Sequence, residues 1–373
     1  MSELPPRLSE ALGNLGDGLA VAVIRLGAMG DILRTIPPVR LIRRGLPRAK
    51  LVWILEEQWN ILIEGHPDLD QVISVPRREF EKLLRGPAGW PRLPGAIHRL
   101  RKHLQEPAFD LAIDFHGNLR SGLVCRLTGA PVRLGYGGHQ QKEGNHWLTT
   151  DQVASGERRT PRMERNLELV RHLGIEDRPL PDGGLPLIAR GAEEAAVVLR
   201  QCGIDTGGYV IVSPGASRAQ AYKKPPAALL GAACGAAVET GLSCLIVHGP
   251  GEEEDARRTV DTIGAGAILA PPTSLATLAA LLRKASLFIG GDSGPLHMAC
   301  AVGCPVLGVY GPTDPVVNQP WGVPYRAVFP PDRAFTGIKK IDREAGGFKG
   351  LAPDRVRSAA AELLRETADR KER

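Results

Sequence analysis

The stretch LAVAVIRLGAMGDILRTIPPVRLIRR, residues 19–44, runs from an apolar segment through Gly27-Ala28-Met29-Gly30-Asp31 into a helical pattern that starts near Ile32. So continuous an apolar run has no polar face, and it reads as a strand covered on both sides within a parallel sheet. The same reading recurs at 51–55 (LVWIL), 110–115 (DLAIDF), 209–213 (YVIVS), 243–248 (SCLIVH), 286–290 (SLFIG) and 305–310 (PVLGVY), with longer helical patterns between. This alternation predicts an α/β protein with parallel sheets.

With 373 residues the chain exceeds one ordinary domain, so two domains are expected. The seam is expected within 176–208, where EDRPLPDGGLPLIA supplies three prolines and a glycine pair. This gives a first domain over 1–185, a second over 186–350 opened by a helix at 192–202, and a terminal helix within 351–373. That last helix is signalled by Val356, Ala359, Ala360, Leu363 and Leu364 after Pro353 and Asp354, and it is expected to pack back on the domains.

The net charge of +6 lies entirely in residues 1–175, where 25 Lys and Arg face 19 Asp and Glu; the remainder balances at 22 against 22. A basic first half points to an anionic partner, a phosphorylated substrate or an acidic membrane face, against the plainer reading of a solvated basic surface. Nucleic acid is disfavoured because the cations are dispersed and only 5% of residues are aromatic. Six cysteines without a C-x-x-C pair, mostly in apolar stretches, suggest buried thiols, with neither disulfides nor a metal site. The opening residues lack the pattern of a secretory signal, and the expected location is the cytoplasm.

In doubly wound sheets ligands bind beyond the carboxyl ends of strands, which singles out four turns. In the first, Gly27 and Gly30 would let a substrate approach while Asp31 acts as a general base; the competing role for Asp31 is a helix cap. The second, Ser213-Pro214-Gly215-Ala216-Ser217 followed by Lys223 and Lys224, offers amides, hydroxyls and a cation for a diphosphate, or is an ordinary loop. The third, His248-Gly249-Pro250-Gly251-Glu252, presents a carboxylate for ribose hydroxyls, or simply an acidic helix start. The fourth, Gly290-Gly291-Asp292-Ser293-Gly294-Pro295-Leu296-His297, opens a helix whose amides face a ligand, with His297 either at the site or in the core.

Together these turns resemble glycosyltransferase family 9, the heptosyltransferases of the lipopolysaccharide inner core. Carrying the resemblance are G-x-x-G-D-hydrophobic (Gly27 to Ile32), P-G-A-S (Pro214 to Ser217) with Lys223, G-x-x-E (Gly249 to Glu252), D-S-G-x-x-H (Asp292 to His297), AIDFHGNLRSGL (112–123) and RLGYG (133–137). Lys223-Lys224-Pro225-Pro226 departs from the family's Trp-Pro and leaves open which lysine meets phosphate. The resemblance implies a GT-B fold, two Rossmann-like domains facing across a cleft, and inverting, metal-independent transfer of heptose from ADP-heptose, a substrate rather than a cofactor. It implies Asp31 as base and Ser213, Gly215, Ala216, Ser217, Lys223, Lys224, Glu252, Asp292, Ser293, Gly294 and His297 on the donor. Gly27, Gly30, Arg25, Arg77, Arg78, Arg120 and Arg133 would meet an anionic, lipid-linked acceptor at the inner face of the cytoplasmic membrane. Alternatives are transfer to another surface glycan, a sugar-nucleotide epimerase, and a non-catalytic nucleotide-sugar binding protein.

Overall fold

The structure, a computed structural model, describes residues 18–154, 156–176, 184–204, 208–335 and 347–371; parts of the expected seam, 177–183 and 205–207, lie outside them. The chain divides into two units, Met1–Pro181 and Asp182–Arg373.

In the first unit six parallel strands, β1 (Ala20–Ile24), β2 (Lys50–Glu56), β3 (Gln71–Val75), β4 (Leu111–Asp114), β5 (Val132–Tyr136) and β6 (Asp151–Val153), lie in the order β3-β2-β1-β4-β5-β6. Strand β1 is buried along its whole length because it is central: Ala22 sits in register with Val52 on one side and Ala112 on the other. Helices α1 (Met29–Gly45), α2 (Arg77–Leu84), α3 (Leu93–Gln105), α4 (Leu119–Leu127) and α5 (Arg162–Arg171) complete this unit. One core cluster unites Ile24, Val52, Ile54, Phe109, Ala112 and Val124.

The second unit opens with α6 (Leu187–Gln201) and carries β7 (Tyr209–Ser213), α7 (Ala227–Glu239), β8 (Ser243–Ile246), α8 (Glu253–Ile263), β9 (Ala267–Leu269), α9 (Leu275–Lys284), β10 (Leu287–Gly290), α10 (Gly294–Ala301), β11 (Val306–Val309) and β12 (Tyr325–Val328). Its strands lie in the order β9-β8-β7-β10-β11-β12, all parallel. Counted from each unit's first strand, both sheets therefore read 3-2-1-4-5-6, the doubly wound order whose direction reverses between the first and fourth strands. The terminal helix α11 (Pro353–Lys371) packs on α7 and the β11–β12 edge, placing Val356, Ala360 and Leu363 in the core of the second unit. Five of the six cysteines are buried.

Helix α1 begins at Met29, three residues before the expected Ile32, because the Ala28 carbonyl already accepts from the amides of Asp31 and Ile32, each at 3.0 Å. It also runs through Pro37 and Pro38. Proline has no N–H, so Pro38 cannot donate to the carbonyl of Arg34 four residues back. That carbonyl accepts instead from Asn166 Nδ2 of α5 at 3.2 Å.

Candidate active site

The strand order reverses between the parallel strands β1 and β4, which leaves a crevice at their carboxyl ends, and the turns after both strands line one pocket there. Its walls include Arg25, Asp31, Arg34, Phe115, His116, Lys142, Arg162 and Arg165, and Asp31 is the one carboxylate among the lining residues. The Asp31 side chain is 21% exposed and does not cap α1 as the alternative reading would have it; the N-cap residue is Ala28 and no side chain caps the helix. Asp31 pairs with Arg25, with Arg34 one turn along the helix at 2.5 Å, and with Arg162 at 3.4 Å. Arg25 is buried and also donates to the Phe115 carbonyl, tying the two switch-point turns together.

Helix α5 delivers Arg162 and Arg165 to this pocket. Its Asn166 donates to the freed Arg34 carbonyl and accepts from Tyr136 Oη at 2.6 Å, so the helix is fixed both to α1 and to β5. Crowding has an electrostatic signature: Arg165 is pushed below its ordinary pKa, first by burial and next by Arg162. His116 is pushed down to about 3, first by burial and then by Arg25, and is therefore neutral near pH 7. Behind it, buried Asp114 accepts from the amides of His116 and Gly117, from Ser121 Oγ and from Asn145 Nδ2, holding the HGN turn in shape.

The remaining arginines expected at the acceptor side separate into groups. Arg77 and Arg120 converge on Glu56, at 2.9 and 2.8 Å, although their own side chains are 39% and 50% exposed while that of Glu56 is 2% exposed. Glu56 ends β2 beside the Gly27 turn, where a methyl on Gly27 would lie 2.9 Å from Trp59 Nε1. A larger side chain at Gly27 would thus crowd Trp59, and Gly30 is buried inside α1. Arg78 is exposed on α2. Arg133 is a structural clamp, its Nε and Nη1 held by the carbonyls of Leu148 and Ala130, and it is absent from the pocket wall.

In the second unit the corresponding switch point lies between β7 and β10, and the expected donor residues gather there. Ser213 is buried at the end of β7 and Ala216 is buried beyond it, while Ser217 is exposed. A side chain at Gly215 would overlap the Glu252 carboxylate, so glycine is required for the P-G-A-S and G-P-G-E turns to touch. Glu252 precedes α8 and accepts from the Gly249 amide at 3.0 Å, which shapes its own turn. Gly291 likewise lets the backbone at Lys223 pass close by, for a methyl there would meet the Lys223 carbonyl at 2.9 Å.

Lys223 Nζ consequently sits 3.0 Å from Asp292 Oδ2, whose other oxygen lies 3.4 Å from Nε2 of buried His297. Lys224 turns instead to Asp255 on α8, so Lys223 is the lysine of this cluster. Ser293 is the N-cap of α10, yet its hydroxyl does not cap the helix, and it has no hydrogen-bond partner among the described residues. With Gly294 it leaves a helix N-terminus whose amides and positive end suit an anion.

Arg34, Glu56, His116, Lys142, Arg162 and Arg165 were absent from the expected site. Arg34 had a signal, since position i+3 on a helix faces Asp31. Arg162 and Arg165 had none, being brought in from more than 130 residues away by α5.

Residues 97–342 match the family model of glycosyltransferase family 9 (heptosyltransferase). Lipopolysaccharide heptosyltransferase 1 of Escherichia coli K12 is 26% identical over 311 residues, covering 80% of this chain and 89% of that protein. Its namesake in Pseudomonas aeruginosa is 26% identical over 318 residues, covering 82% of each. Among solved structures, a family 9 glycosyltransferase from Veillonella parvula superposes with a TM-score of 0.74 at 20% identity, covering 93% of this chain and 97% of its own. The E. coli heptosyltransferase WaaC, solved with ADP, gives 0.69 at 22% identity, covering 92% and 100%. Two doubly wound domains and these matches define a glycosyltransferase of heptosyltransferase type with the GT-B fold. The chain belongs to glycosyltransferase family 9.

Proposed function

We propose that this enzyme transfers heptose from ADP-heptose to a hydroxyl of an anionic, lipid-linked inner-core glycan, with inversion and without a metal ion. The observation that carries the reading is Asp31, a partly exposed carboxylate at the switch point of the first unit, in a pocket otherwise lined by cations and neutral groups. Asp31 takes the acceptor proton as the acceptor oxygen bonds to the anomeric carbon; the bond from that carbon to the diphosphate breaks on the opposite face, and ADP leaves. Arg25, Arg34, Lys142, Arg162 and Arg165 outnumber Asp31, so the pocket retains positive charge for an anionic acceptor even with the carboxylate paired.

On the donor side, Lys223, Ser293 and the amides of α10 offset the charge that grows on the leaving diphosphate, the work a divalent cation does in other transferases. Glu252 holds the ribose, and the Asp292–His297 pair orients Lys223 and the sugar. Support for the nucleotide comes from relatives: WaaC was solved with ADP and with ADP-2-deoxy-2-fluoro heptose. A lipid-linked acceptor brings the enzyme to the inner face of the cytoplasmic membrane as a peripheral protein; among the described residues no helix is long and apolar enough to cross it.

Asp31→Ala tests the assignment. Transfer should fall about 10²- to 10⁴-fold, the usual worth of a general base, with ADP affinity nearly unchanged. Wild-type turnover in the variant would reject Asp31 as base, and preferential thermal stabilisation of the wild type by UDP- or GDP-sugars over ADP-sugars would reject the donor.

A further inference from the structure

The crossover between β3 and β4 contains more chain than the fold needs. Helix α3 already covers the sheet, burying Ala96, Leu100 and Leu104. Before it come α2 and a 3-10 segment, Pro87–Arg92, and no residue of either is buried. Leu84 and Trp90 are each 60% exposed, and Ile97 on the outer side of α3 is 39% exposed. Residues 77–102 hold eight Lys and Arg against two Glu, and Arg85, Arg92, Arg101 and Lys102 are all exposed. A groove between α2 and α3 is lined by Lys82, Arg92, Leu83 and Pro91 and by Arg99, which pairs with Glu79 at 2.6 Å, so cations outnumber the one carboxylate there.

We infer that this α2–α3 excursion docks the enzyme on an anionic lipid bilayer, with Leu84, Trp90 and Ile97 entering the headgroup layer and the surrounding cations meeting lipid phosphates. Exposed apolar side chains, a tryptophan among them, on a segment rich in exposed cations are the composition of an interfacial segment: the indole prefers the headgroup level, and each cation adds Coulombic attraction to the surface. A protein partner of ordinary composition would leave so many like charges unpaired, and a second copy of this surface would bring positive charge against positive charge. Position agrees, because α2 starts at the carboxyl edge of the sheet, where Arg77 meets Glu56 beside the Gly27 turn. Docking there holds the acceptor pocket's edge toward the bilayer in which a lipid-linked substrate is anchored. The inference rests on the proposed lipid-linked acceptor for its purpose, though not for its test.

The full-length enzyme should co-sediment with phosphatidylcholine vesicles containing phosphatidylglycerol, but not with phosphatidylcholine alone, and salt should release it. Arg85→Glu with Arg92→Glu should weaken partitioning by at least about tenfold, and Trp90→Ser several-fold. Trp90→Phe should remove the blue shift of tryptophan fluorescence that vesicles induce. Circular dichroism, and unchanged transfer to a delipidated acceptor, keep loss of folding apart from loss of docking. Failure of the wild type to bind anionic vesicles, variants that bind as the wild type does, or a dimer abolished by Trp90→Ser would each overturn the inference. If transfer to every inner-core acceptor fails while anionic vesicles still bind, the functional reading falls and the docking surface stands.

Discussion

Asp31 is held by three guanidiniums from two helices and a strand end, so its position is overdetermined before any substrate arrives. Glu56 does the converse: one buried carboxylate aims two half-exposed arginines from α2 and α4. Glu56→Gln keeps the shape but removes the charge that gathers Arg77 and Arg120. If these arginines receive the acceptor's anions, KM for the acceptor should rise about five- to tenfold with kcat little changed, and Glu56→Asp should recover part of the loss. Steady-state kinetics at varied acceptor concentration decides it, because a general loss of structure would lower kcat as well.

His116 gives a pH prediction. In the unfolded chain it takes a proton near its ordinary 6.5, whereas the folded protein resists protonation until about 3, chiefly through burial. Below pH 6.5 the unfolded state therefore binds the extra proton, and stability falls as the pH falls toward 3 by at most about 1.4 kcal/mol per pH unit from this group. His116→Gln should flatten that slope, measured as urea midpoints across the acidic range. The turns that carry Asp31, Asp292 and His297 were legible because short glycine-bounded turns after apolar strands have few uses, while the pairing of Asp292 with His297 and Lys223 was not. Glu56 was not, since a lone carboxylate at the end of a strand carries no local signal of the arginines that reach it from sequence positions 77 and 120.

At the level of elements, Pro38 and Asn166 form a joint between α1 and α5: the proline opens a carbonyl inside one helix, and the amide of the other fills it. Asn166→Leu would leave Tyr136 Oη and the Arg34 carbonyl without their partner inside the unit. A cost of about 2–4 kcal/mol is expected from two orphaned buried groups. The variant should also lose acceptor affinity, because Arg162 and Arg165 ride on α5; denaturation and acceptor KM measured together test both. The central strands were readable from their unbroken apolar runs. Inner strand β5, whose run is broken by Arg133 and Gly135, was met only within the motif RLGYG, and the edge strands β3, β6, β9 and β12 were not read as strands, since they are only partly buried and partial burial dilutes the pattern. The P-G-A-S motif was visible as a turn, but the reason for its glycine, the Glu252 carboxylate packed against it, belongs to tertiary structure.

Across the whole molecule, two sheets of the same strand order arise from two stretches of sequence with no evident repeat. Topology is set by the alternation of apolar strand and amphipathic helix, which many sequences satisfy. The predicted division at 185/186 falls close to the Pro181/Asp182 division of the two units, as a proline- and glycine-rich composition allows. If the nucleotide binds only the second unit, calorimetry of the intact chain should show ADP raising one unfolding transition and leaving another in place. At a concentration of 100 times Kd the shift corresponds to about 2.7 kcal/mol. Equal movement of both transitions would instead mean that the nucleotide is shared between the units.

Among the described residues, no strand of either sheet is borrowed from the other unit's stretch of sequence. Evolution can therefore recombine such a chain at a single crossover without tearing a hydrogen-bonded ladder. Grafting the front segment of one family member onto the rear segment of another should exchange the alcohol that is glycosylated while the choice of nucleotide stays with the rear parent.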